Sequence, residues 1–443
     1  MVTGKAAALL ALGAFVNLVG AWLVPGWPSA WLVAGISLGA VAGLSALDFL
    51  LAGAAGEVEL TRSGDTQIRL GETATVTLTV TNRGVRTLRG EVRDAWVPSA
   101  GATPYRHEIL VDPEQSVDLP AVLTPIRRGE RRAVRVTVRS YGPFGLAFRQ
   151  TTRRRSDRIT PPWTVTVLPR FDSRRHLPEK LSRLRVVDGM VVVRGRGQGT
   201  EFDSLREYVI GDDVRSIDWR STARRRDVLV RTWRPERDRR VMCVLDTGRT
   251  SAARIGDEPR LDAAMDAALL LATLATYADD RVDLIAADTQ VRVAHSSGSK
   301  RTAQTRLIRA LAGLEPALVE TDWERIVGEV LRRERRRALV VLFTALEPGA
   351  LGEGLLPVLP LLAARHRVVL AAVHDGTLDE LAAGRRDVTE VYAAAAAARA
   401  LADRRRVRAA LARQGVEVVD EPVATFASAV ADTYLRLKAA GKL

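Results

Sequence analysis

The sequence predicts an α/β protein in three structural parts: a two-helix membrane hairpin, a small antiparallel β-sandwich and a doubly wound parallel sheet. Three observations support this prediction. No charged residue occurs from Ala6 to Leu47, the next region alternates apolar and polar residues, and from Arg240 onward short apolar runs alternate with helical patterns. The expected boundaries are 1–56 for the hairpin, 57–170 for the sandwich, 171–239 for a basic connector with a distinctive motif, and 240–443 for the α/β domain.

The amino-terminal apolar run is long enough for two membrane spans, since a helix needs about 20 apolar residues to cross a bilayer. The segment 25–29, Pro-Gly-Trp-Pro-Ser, interrupts it near the middle. Lys5 precedes the first span, and Arg62 and Arg69 follow the second, so the positive-inside rule places both ends in the cytoplasm. We therefore expect two spans in the inner (plasma) membrane, cytoplasmic soluble domains, and membrane lipid as a partner. Asp48 is expected to reach the lipid headgroups.

Strict alternation predicts half-buried β-strands after the hairpin. Val76, Leu78 and Val80 fall on one face of such a strand with threonines on the other, and the pattern repeats at 134–138. Further short apolar segments lie near 91–96, 107–111 and 164–168. Because this region carries no cluster of catalytic residue types, we expect it to act as a spacer or docking module.

Residues 171–200 are expected to form a basic, irregular connection. Its last part is a strand-like run from Met190 to Val193, followed by the glycine-rich segment 195–199, which is suggestive of a loop that cradles phosphate. The spacing matches neither the Rossmann glycine pattern nor the ending of a Walker loop. Nucleotide binding is therefore not expected here.

Strands and helices alternate in the carboxy-terminal part of the sequence. The predicted strands are 240–246, 282–287, 338–344, 367–373 and 416–419, and the predicted helices are 260–279, 301–314, 323–336, 350–364 and 378–414. This alternation is typical of a parallel sheet covered by helices on both faces. Functional loops of such a sheet lie beyond the carboxyl ends of its strands, where Asp246 is placed.

The Asp-Thr-Gly sequence that begins at Asp246 also opens the catalytic loop of aspartic proteases. That chemistry needs two carboxylates that share one proton. The other Asp-Thr pairs in this sequence are followed by Gln or Tyr rather than Gly. The loop also opens an α/β domain, whereas these proteases are built from β-sheet. The aspartic protease is therefore the lowest of the alternatives.

The same loop is similar to one that holds a metal ion in other α/β domains. Asp246 and Thr250 supply the hard oxygen ligands that Mg²⁺ prefers. Gly248, between them, has no side-chain oxygen, and Ala345 stands at the end of a later strand where a carboxylate would be needed. Two further oxygen donors in the sequence are Thr321 and Asp322. We expect either no cofactor or Mg²⁺ at a weakened site.

A motif upstream of this loop combines opposite charges with aromatic residues. Its candidate interaction residues are Glu201, Phe202, Arg206, Tyr208, Gly211, Asp212, Arg215, Asp218, Trp219 and Arg224. Carboxylate and guanidinium pairs of this kind brace a loop, so the motif could simply pin the segment in place. Between residues 215 and 240, however, ten arginines stand against four acidic residues. This excess also favours a docking face for an acidic partner.

The segment GTEFDSLREYVIGDDVRSIDWRSTARR at 199–225, together with LDTGRT at 245–250, closely resembles the bacterial family of unknown function number 58. The resemblance extends over nearly the whole chain and implies a von Willebrand A-like (Rossmann-like) domain. It also implies a membrane-anchored protein that acts with a MoxR-type AAA+ ATPase in chaperone-like complex assembly. The chain departs from the family pattern at Gly142 and Ala345, where acidic residues are common.

Composition and motif spacing disfavour other functions. The single cysteine, Cys243, excludes an intramolecular disulfide and a cysteine-rich zinc site, and the five histidines lack ligand spacing. The net charge of +14 suits nucleic acid, but few aromatic residues accompany the arginines. We therefore expect a non-catalytic adaptor with no specific nucleic acid and no small-molecule substrate. A Mg²⁺-dependent adhesion-type domain is the main alternative.

Overall fold

The computed structural model describes residues 1–24, 27–194, 201–209, 212–224, 227–234, 239–256, 258–296 and 300–443. Side chains at 188–194, 201–204, 232–234, 300–304 and 350 are outside this description. The chain divides into two compact units, Met1–Leu168 and Pro169–Leu443. The first unit joins the apolar hairpin to the β-sandwich, and the second contains the α/β sheet.

The hairpin consists of helix α1, Gly4–Leu23, and helix α2, Ala30–Leu51. Both are long and apolar enough to cross a membrane, and only 11% and 6% of their most apolar windows are buried. Polar contacts close the turn between them, because Asn17 donates to the carbonyl of Ala30 and accepts from the Trp27 indole N–H. The Trp27 ring lies 2.4 Å from the position of a Cβ on Gly20, so only glycine fits this close approach.

Asp48 was predicted to reach the lipid headgroups, and this prediction is wrong. The fold buries its side chain completely. Its carboxylate accepts the backbone N–H groups of Phe144, Leu146 and Ala147 at 2.6 to 2.8 Å. A buried carboxylate needs such donors. A Cβ on Gly142 would lie 2.2 Å from an Asp48 oxygen, which explains why an acidic residue cannot stand at this position here. Asp48 thus fastens α2 to the sandwich loop.

The predicted sandwich is confirmed as two largely antiparallel sheets. Its strands are β1 Val58–Gly64, β2 Gln67–Arg69, β3 Ala74–Asn82, β4 Leu88–Trp96, β5 Ala102–Thr103, β6 Arg106–Val111, β7 Ser116–Leu123, β8 Gly129–Tyr141, β9 Phe148–Gln150 and β10 Thr164–Leu168. One sheet has the order β1-β3-β7-β5 and the other β2-β10-β8-β4-β6, with β9 paired to β8. Helix α3, Arg153–Ile159, follows β9. Alternating side chains such as Leu78, Val92 and Val138 fill the core between the sheets.

The connector is not irregular between residues 171 and 194, contrary to the sequence-based expectation. A 3₁₀ turn at Asp172–His176 leads into helix α4, Leu177–Arg194, which includes the run expected to be strand-like. Leu184 and Val187, one turn apart, are buried. The glycine-rich segment 195–199 lies outside the described residues. The helix was not predicted from the sequence because the segment is rich in charged residues. The contacts that stabilise it are with elements distant along the chain.

The second unit is built on a six-stranded sheet. Its elements before the sheet are α4, β11 Glu201–Glu207, a 3₁₀ turn at Val214–Ser216, α5 Trp219–Thr222 and β12 Leu229–Arg234. The strands that follow are β13 Arg240–Asp246, β14 Arg254–Ile255, β15 Glu258–Pro259, β16 Arg281–Ala287, β17 Val291–Ser296, β18 Leu339–Phe343, β19 Arg367–His374 and β20 Glu417–Pro422. The helices are α6 Arg249–Ala252, α7 Arg260–Tyr277, α8 Lys300–Ala312, α9 Trp323–Arg333, α10 Pro348–Ala350, α11 Leu356–Ala363, α12 Thr377–Ala382, α13 Val388–Arg413 and α14 Val423–Ala439, with a π-helical turn at Leu351–Leu355.

The sheet order is β17-β16-β13-β18-β19-β20, which confirms the doubly wound arrangement. Strand β17 was not predicted, and it runs antiparallel at the edge, so the sheet is not wholly parallel. Strand β17 is largely exposed and therefore lacks the apolar run of a buried strand. The single helix predicted at 378–414 is two helices, because Asp387 caps a new start by accepting the N–H of Glu390.

Helices cover both faces of the sheet. Helices α9, α11 and α13 pack on the face that includes Val244 and Leu342. On the opposite face Phe343 meets Phe426 of α14 edge to face, with ring centroids 6.3 Å apart. Cys243 is fully buried, and burial raises the pKa of its thiol to about 12. The thiol is therefore protonated and unreactive.

Asp266 of α7 is a partly buried carboxyl group that accepts hydrogen bonds from the hydroxyl and backbone N–H of Ser173. Burial raises its pKa to about 6. Since the folded pKa lies above the unfolded value, this group favours the fold below about pH 4, and the benefit is lost as the pH rises through 6. Asp266→Asn should therefore raise the unfolding free energy at pH 7 by about 1–2 kcal/mol, measured by denaturation of the detergent-solubilised chain. An equal gain at pH 4 would contradict this.

Candidate functional site

Asp246 is the last residue of β13, a central strand of the sheet, and its side chain lies at the carboxyl edge as predicted. The polypeptide leaves the strand through Thr247 and Gly248 and then begins the short helix α6. Residues 317–321 lie beside this loop, because Ala317 donates to the Thr247 carbonyl and Arg249 donates to the Val319 carbonyl. These backbone bonds bring two separate loops together at one strand end.

Four donors surround the Asp246 carboxylate. One oxygen accepts the Gly248 N–H at 2.8 Å and the Thr321 hydroxyl at 2.6 Å. The other accepts the Thr250 hydroxyl at 3.1 Å and the Thr344 hydroxyl at 2.6 Å. Because Asp246 is only 2% exposed, these hydrogen bonds replace the water that the carboxylate loses on folding. We refer to Asp246 and these four donors as the threonine cage.

A second carboxylate, directly after β16, supports the same loop. Asp288 is buried and accepts the Thr247 hydroxyl at 2.9 Å and the Arg292 guanidinium at 2.8 Å. Burial by itself would raise the pKa of Asp288, but the hydrogen bonds from Arg292 and Thr247 hold that pKa below its ordinary value. Asp288 is therefore ionised at neutral pH and fixes Thr247 rather than serving as a proton donor.

In this arrangement the threonine cage leaves the Asp246 carboxylate no free position for a divalent ion. A carboxylate offers about four lone-pair positions, and the four donors occupy them. A Cβ on Gly248 would lie 2.1 Å from the Thr321 oxygen, so Thr321 fills the space that a ligand side chain at position 248 would need. Ala345 is buried and offers no oxygen from its side chain. Over the described part of the chain, no group of three or more His, Cys, Asp or Glu side chains could hold a metal.

The protease interpretation requires a second carboxyl group that shares a proton with Asp246. Among the described residues, the hydrogen-bond partners of its carboxylate are three threonine hydroxyls and one backbone N–H. None of these is a carboxyl group. The geometry therefore supplies hydrogen bonds to a fixed carboxylate and lacks the paired acids of that reaction.

Sequence reasoning identified Asp246 and Thr250 and missed Thr344 and the supporting Asp288. Thr321 and Asp322 were the two further oxygen donors named from the sequence. Thr321 belongs to the threonine cage, whereas Asp322 caps α9 by accepting the Arg325 N–H at 2.9 Å. A threonine directly before Ala345 at a strand end was the available signal for Thr344. The contact between Thr344 and Asp246 could not be predicted from the local sequence, because the two residues are 98 positions apart in the chain.

The upstream motif forms a two-stranded antiparallel unit from β11 and β12. Asp212 pairs with Arg206 and accepts the Val209 N–H at 3.0 Å. Asp218 accepts the Ser221 N–H at 2.9 Å and pairs with Arg231 at 2.8 Å. These carboxylates brace the turns, as the structural interpretation of the motif anticipated.

The other motif residues differ in their exposure. Trp219 is 67% exposed and Val214 is 62% exposed, although both are large and apolar. The side chains of Arg215, Arg220 and Arg224 are also exposed. Tyr208 is half-buried and donates its N–H to the Val228 carbonyl. Gly211 and the side chains of Glu201 and Phe202 lie outside the described residues.

The sheet order, the antiparallel edge strand and the acidic loop at a central strand end define a von Willebrand A-like α/β domain. Residues 204–418 match the family described as protein of unknown function DUF58. The predicted resemblance to this family is thus confirmed over these residues. No match to the chain is found among curated proteins.

Solved structures similar to parts of the chain include the SpRpn10 VWA domain, at 10% identity and a TM-score of 0.27, covering 44% of this chain and 94% of that one. The CARDB domain of a Pyrococcus furiosus protein, solved in complex with di-metal ions, is 14% identical with a TM-score of 0.19, covering 26% and 94%. A FixG-related protein from Vibrio parahaemolyticus is 14% identical with a TM-score of 0.15, covering 25% and 96%. Similarities at these identities and TM-scores do not indicate a function.

Proposed function

We propose that this protein is a membrane-anchored, non-catalytic interaction subunit that works with a MoxR-type AAA+ ATPase in the assembly or maturation of other proteins. The observation that carries the proposal is an exposed basic and apolar surface in the family motif, held by internally paired carboxylates. The saturated threonine cage supports a role in binding rather than catalysis. The ATPase as partner comes from the family resemblance.

The exposure of the hairpin supports anchoring in the membrane. Large apolar side chains such as Phe15, Trp22 and Trp31 face outward from helices that have few buried residues. An apolar surface of this extent is costly in water and favourable in lipid. At the end of α2, Arg86 donates to the Leu50 carbonyl. Together with Lys5, such cations favour a cytoplasmic location of the soluble units.

We define the motif surface as Val214, Arg215, Trp219, Arg220 and Arg224. It combines an exposed indole and an aliphatic side chain with three guanidinium groups. Interfaces take most of their binding energy from anchors such as Trp and Arg. The surrounding positive charge complements an acidic partner and increases its association rate. These properties favour an acidic surface of the ATPase as the binding partner.

Trp219→Ala is expected to weaken capture of the ATPase by at least roughly 30-fold, since a central tryptophan anchor is worth about 2 kcal/mol or more. Arg224→Gln should weaken capture a few-fold and reduce its salt dependence, because a peripheral charge acts chiefly through long-range attraction. The measurement is the affinity of the detergent-solubilised full chain for the immobilised ATPase at two salt concentrations.

Helix α13 supplies matched controls. Tyr392→Ala removes another exposed aromatic side chain, and Arg399→Gln removes another exposed guanidinium. Both variants should capture the ATPase as the wild type does. If Trp219→Ala binds normally, or if the α13 variants weaken capture as much as the motif variants do, the motif surface is not the docking site.

A Mg²⁺-dependent adhesion-type domain is the second candidate, favoured by the position of Asp246 and Thr250 at the carboxyl edge of the sheet. In that case Mg²⁺ or Mn²⁺ would stabilise the isolated chain against thermal unfolding, and Thr321→Val would alter the effect. Under the adaptor proposal, neither ion changes the unfolding temperature beyond its ionic-strength effect. An aspartic protease activity remains the lowest alternative.

A further inference from the structure

The outer face of the sandwich carries a hollow lined by arginines that the proposed function does not use. It is a pocket of about 90 Å³ lined by Glu91, Arg93, Arg106, Thr137, Arg139 and Gln150. These residues lie on neighbouring strands β4, β6, β8 and β9. Val92 and Val138, at the alternate positions, are buried in the core, so the lining residues face away from it. We refer to this set as the arginine pocket.

Strand register places the lining residues in two rows. In one row Gln150, Arg139 and Glu91 are direct cross-strand neighbours. In the other row Arg93 lies directly opposite Thr137 on one side and Arg106 on the other. The pocket therefore brings three guanidinium groups together across adjacent strands.

The internal partners neutralise only part of this charge. Glu91 is the acidic residue of the lining, and it lies 3.4 Å from Arg106. Arg139 donates to the neutral Gln150 amide oxygen at 2.7 Å. Like charges directly opposite each other destabilise a sheet, and Arg93 and Arg106 form such a pair. Within the lining, three guanidinium groups and one carboxylate leave two positive charges in excess, which favours an anion in the pocket. Glu108, opposite Glu91 on β6, is outside the lining.

We propose that the arginine pocket binds a phosphate group, supplied by the headgroup of an anionic phospholipid. Guanidinium groups match phosphate oxygens through paired N–H donors, and the Thr137 hydroxyl adds a further donor. The small volume suits one phosphate-sized group rather than an extended polymer. Bound phosphate would relieve the repulsion between Arg93 and Arg106.

A lipid source follows from the position of the pocket within the first unit. Arg149 of β9 lies over the Phe49 ring of α2, with 5.0 Å between the guanidinium carbon and the ring centroid. The next residue, Gln150, lines the pocket. Phe49 belongs to the last turn of α2, where the helix would leave the bilayer. This choice of source rests on the membrane anchoring proposed above, whereas the phosphate chemistry does not.

The test compares two phosphate sources on the detergent-solubilised full chain. Phosphatidylglycerol in the micelle is set against phosphatidylcholine, and inorganic phosphate is set against chloride at equal ionic strength. Thermal unfolding and native mass spectrometry report binding. The double variant Arg93→Gln with Arg106→Gln should bind phosphatidylglycerol roughly tenfold or more weakly, because each basic residue near a lipid surface contributes substantially.

Arg89→Gln is the matched control, since Arg89 is exposed on the same face of β4 but outside the pocket lining. It should retain wild-type lipid binding. Without ligand, the double variant should unfold at a higher temperature than the wild type, because it loses a repulsive pair. Loss of binding with gained stability distinguishes a binding site from a structural role.

The outcomes separate the sources. Stabilisation by phosphatidylglycerol that depends on Arg93 and Arg106 supports the lipid site. Stabilisation by inorganic phosphate alone, with the same dependence, keeps the phosphate chemistry and overturns the lipid source. Equal responses in wild type and double variant overturn the proposal, as does stabilisation only by an oligoglutamate peptide. Capture of the ATPase is measured separately, so failure here leaves the adaptor proposal intact.

Discussion

Replacing Asp246 with alanine is expected to destabilise the second unit by roughly 3–5 kcal/mol. The substitution leaves the Gly248 N–H and three threonine hydroxyls without their shared acceptor. A buried polar group left without a partner costs about 1–3 kcal/mol. The expected total is less than the sum of four such costs because hydroxyl groups can rotate toward other acceptors. Chemical denaturation of the detergent-solubilised chain measures the change.

Smaller substitutions locate the source of this effect. Thr344→Val removes one donor and leaves the carboxylate with three, so it should cost about 1 kcal/mol. Thr289→Val changes a threonine outside the cage and should cost less. A loss below about 1 kcal/mol for Asp246→Ala would mean that the cage does not hold the loop.

This expectation also changes how functional tests at Asp246 are interpreted. Loss of partner capture by Asp246→Ala would follow from a disordered loop even if no metal were involved. Thr321→Val is the better variant for testing metal dependence, because it leaves the carboxylate and its remaining donors in place. The stability of each variant should be measured before its binding is compared.

Lys438→Met is expected to cost roughly 3–5 kcal/mol, because it leaves a buried carboxylate without its cation. Lys438 of α14 is fully buried and lies 3.0 and 3.1 Å from the two Asp280 oxygens. Tyr434 also donates to Asp280, and Lys438 donates to the Ala278 carbonyl. This cluster fastens the last helix to the turn between α7 and β16.

The loss should depend on pH. Burial raises the pKa of Asp280 even in the presence of Lys438, and removal of the cation should raise that pKa further. The variant would then be most stable below the unfolded pKa of the carboxyl group and would lose stability as the pH rises through the folded pKa. Denaturation at pH 5 and pH 8 compares the two conditions.

Two variants serve as controls for Lys438. Asp280→Asn combined with Lys438→Met removes the uncompensated charge and should recover much of the stability. Lys442→Met removes an exposed lysine from the same end of the chain and should have little effect. If Lys438→Met is as stable as Lys442→Met, the buried ion pair does not contribute as proposed.

The sequence was sufficient to predict the features that depend on local pattern. The uninterrupted apolar run gave the two hairpin helices, period-two alternation gave strands such as β3, and the buried run before Asp246 gave a central strand. Family motifs gave the class of the α/β domain. Each of these helices and strands is specified within a window of about 20 residues, where side-chain periodicity and length constrain the backbone directly.

The tertiary structure decided the features that depend on distant partners. Helix α4 was not predicted because its segment is rich in charged residues. One contact that stabilises it, from Lys180 to Asp432 at 2.8 Å, joins residues that are far apart in the chain. Asp48 became a fastening residue because a loop nearly one hundred residues away supplies three N–H donors. Asp246 was placed correctly from sequence, but its role depends on Thr321 and Thr344. The packing of separate segments determines which donors contact a buried carboxylate. The local sequence therefore does not predict these hydrogen-bond partners.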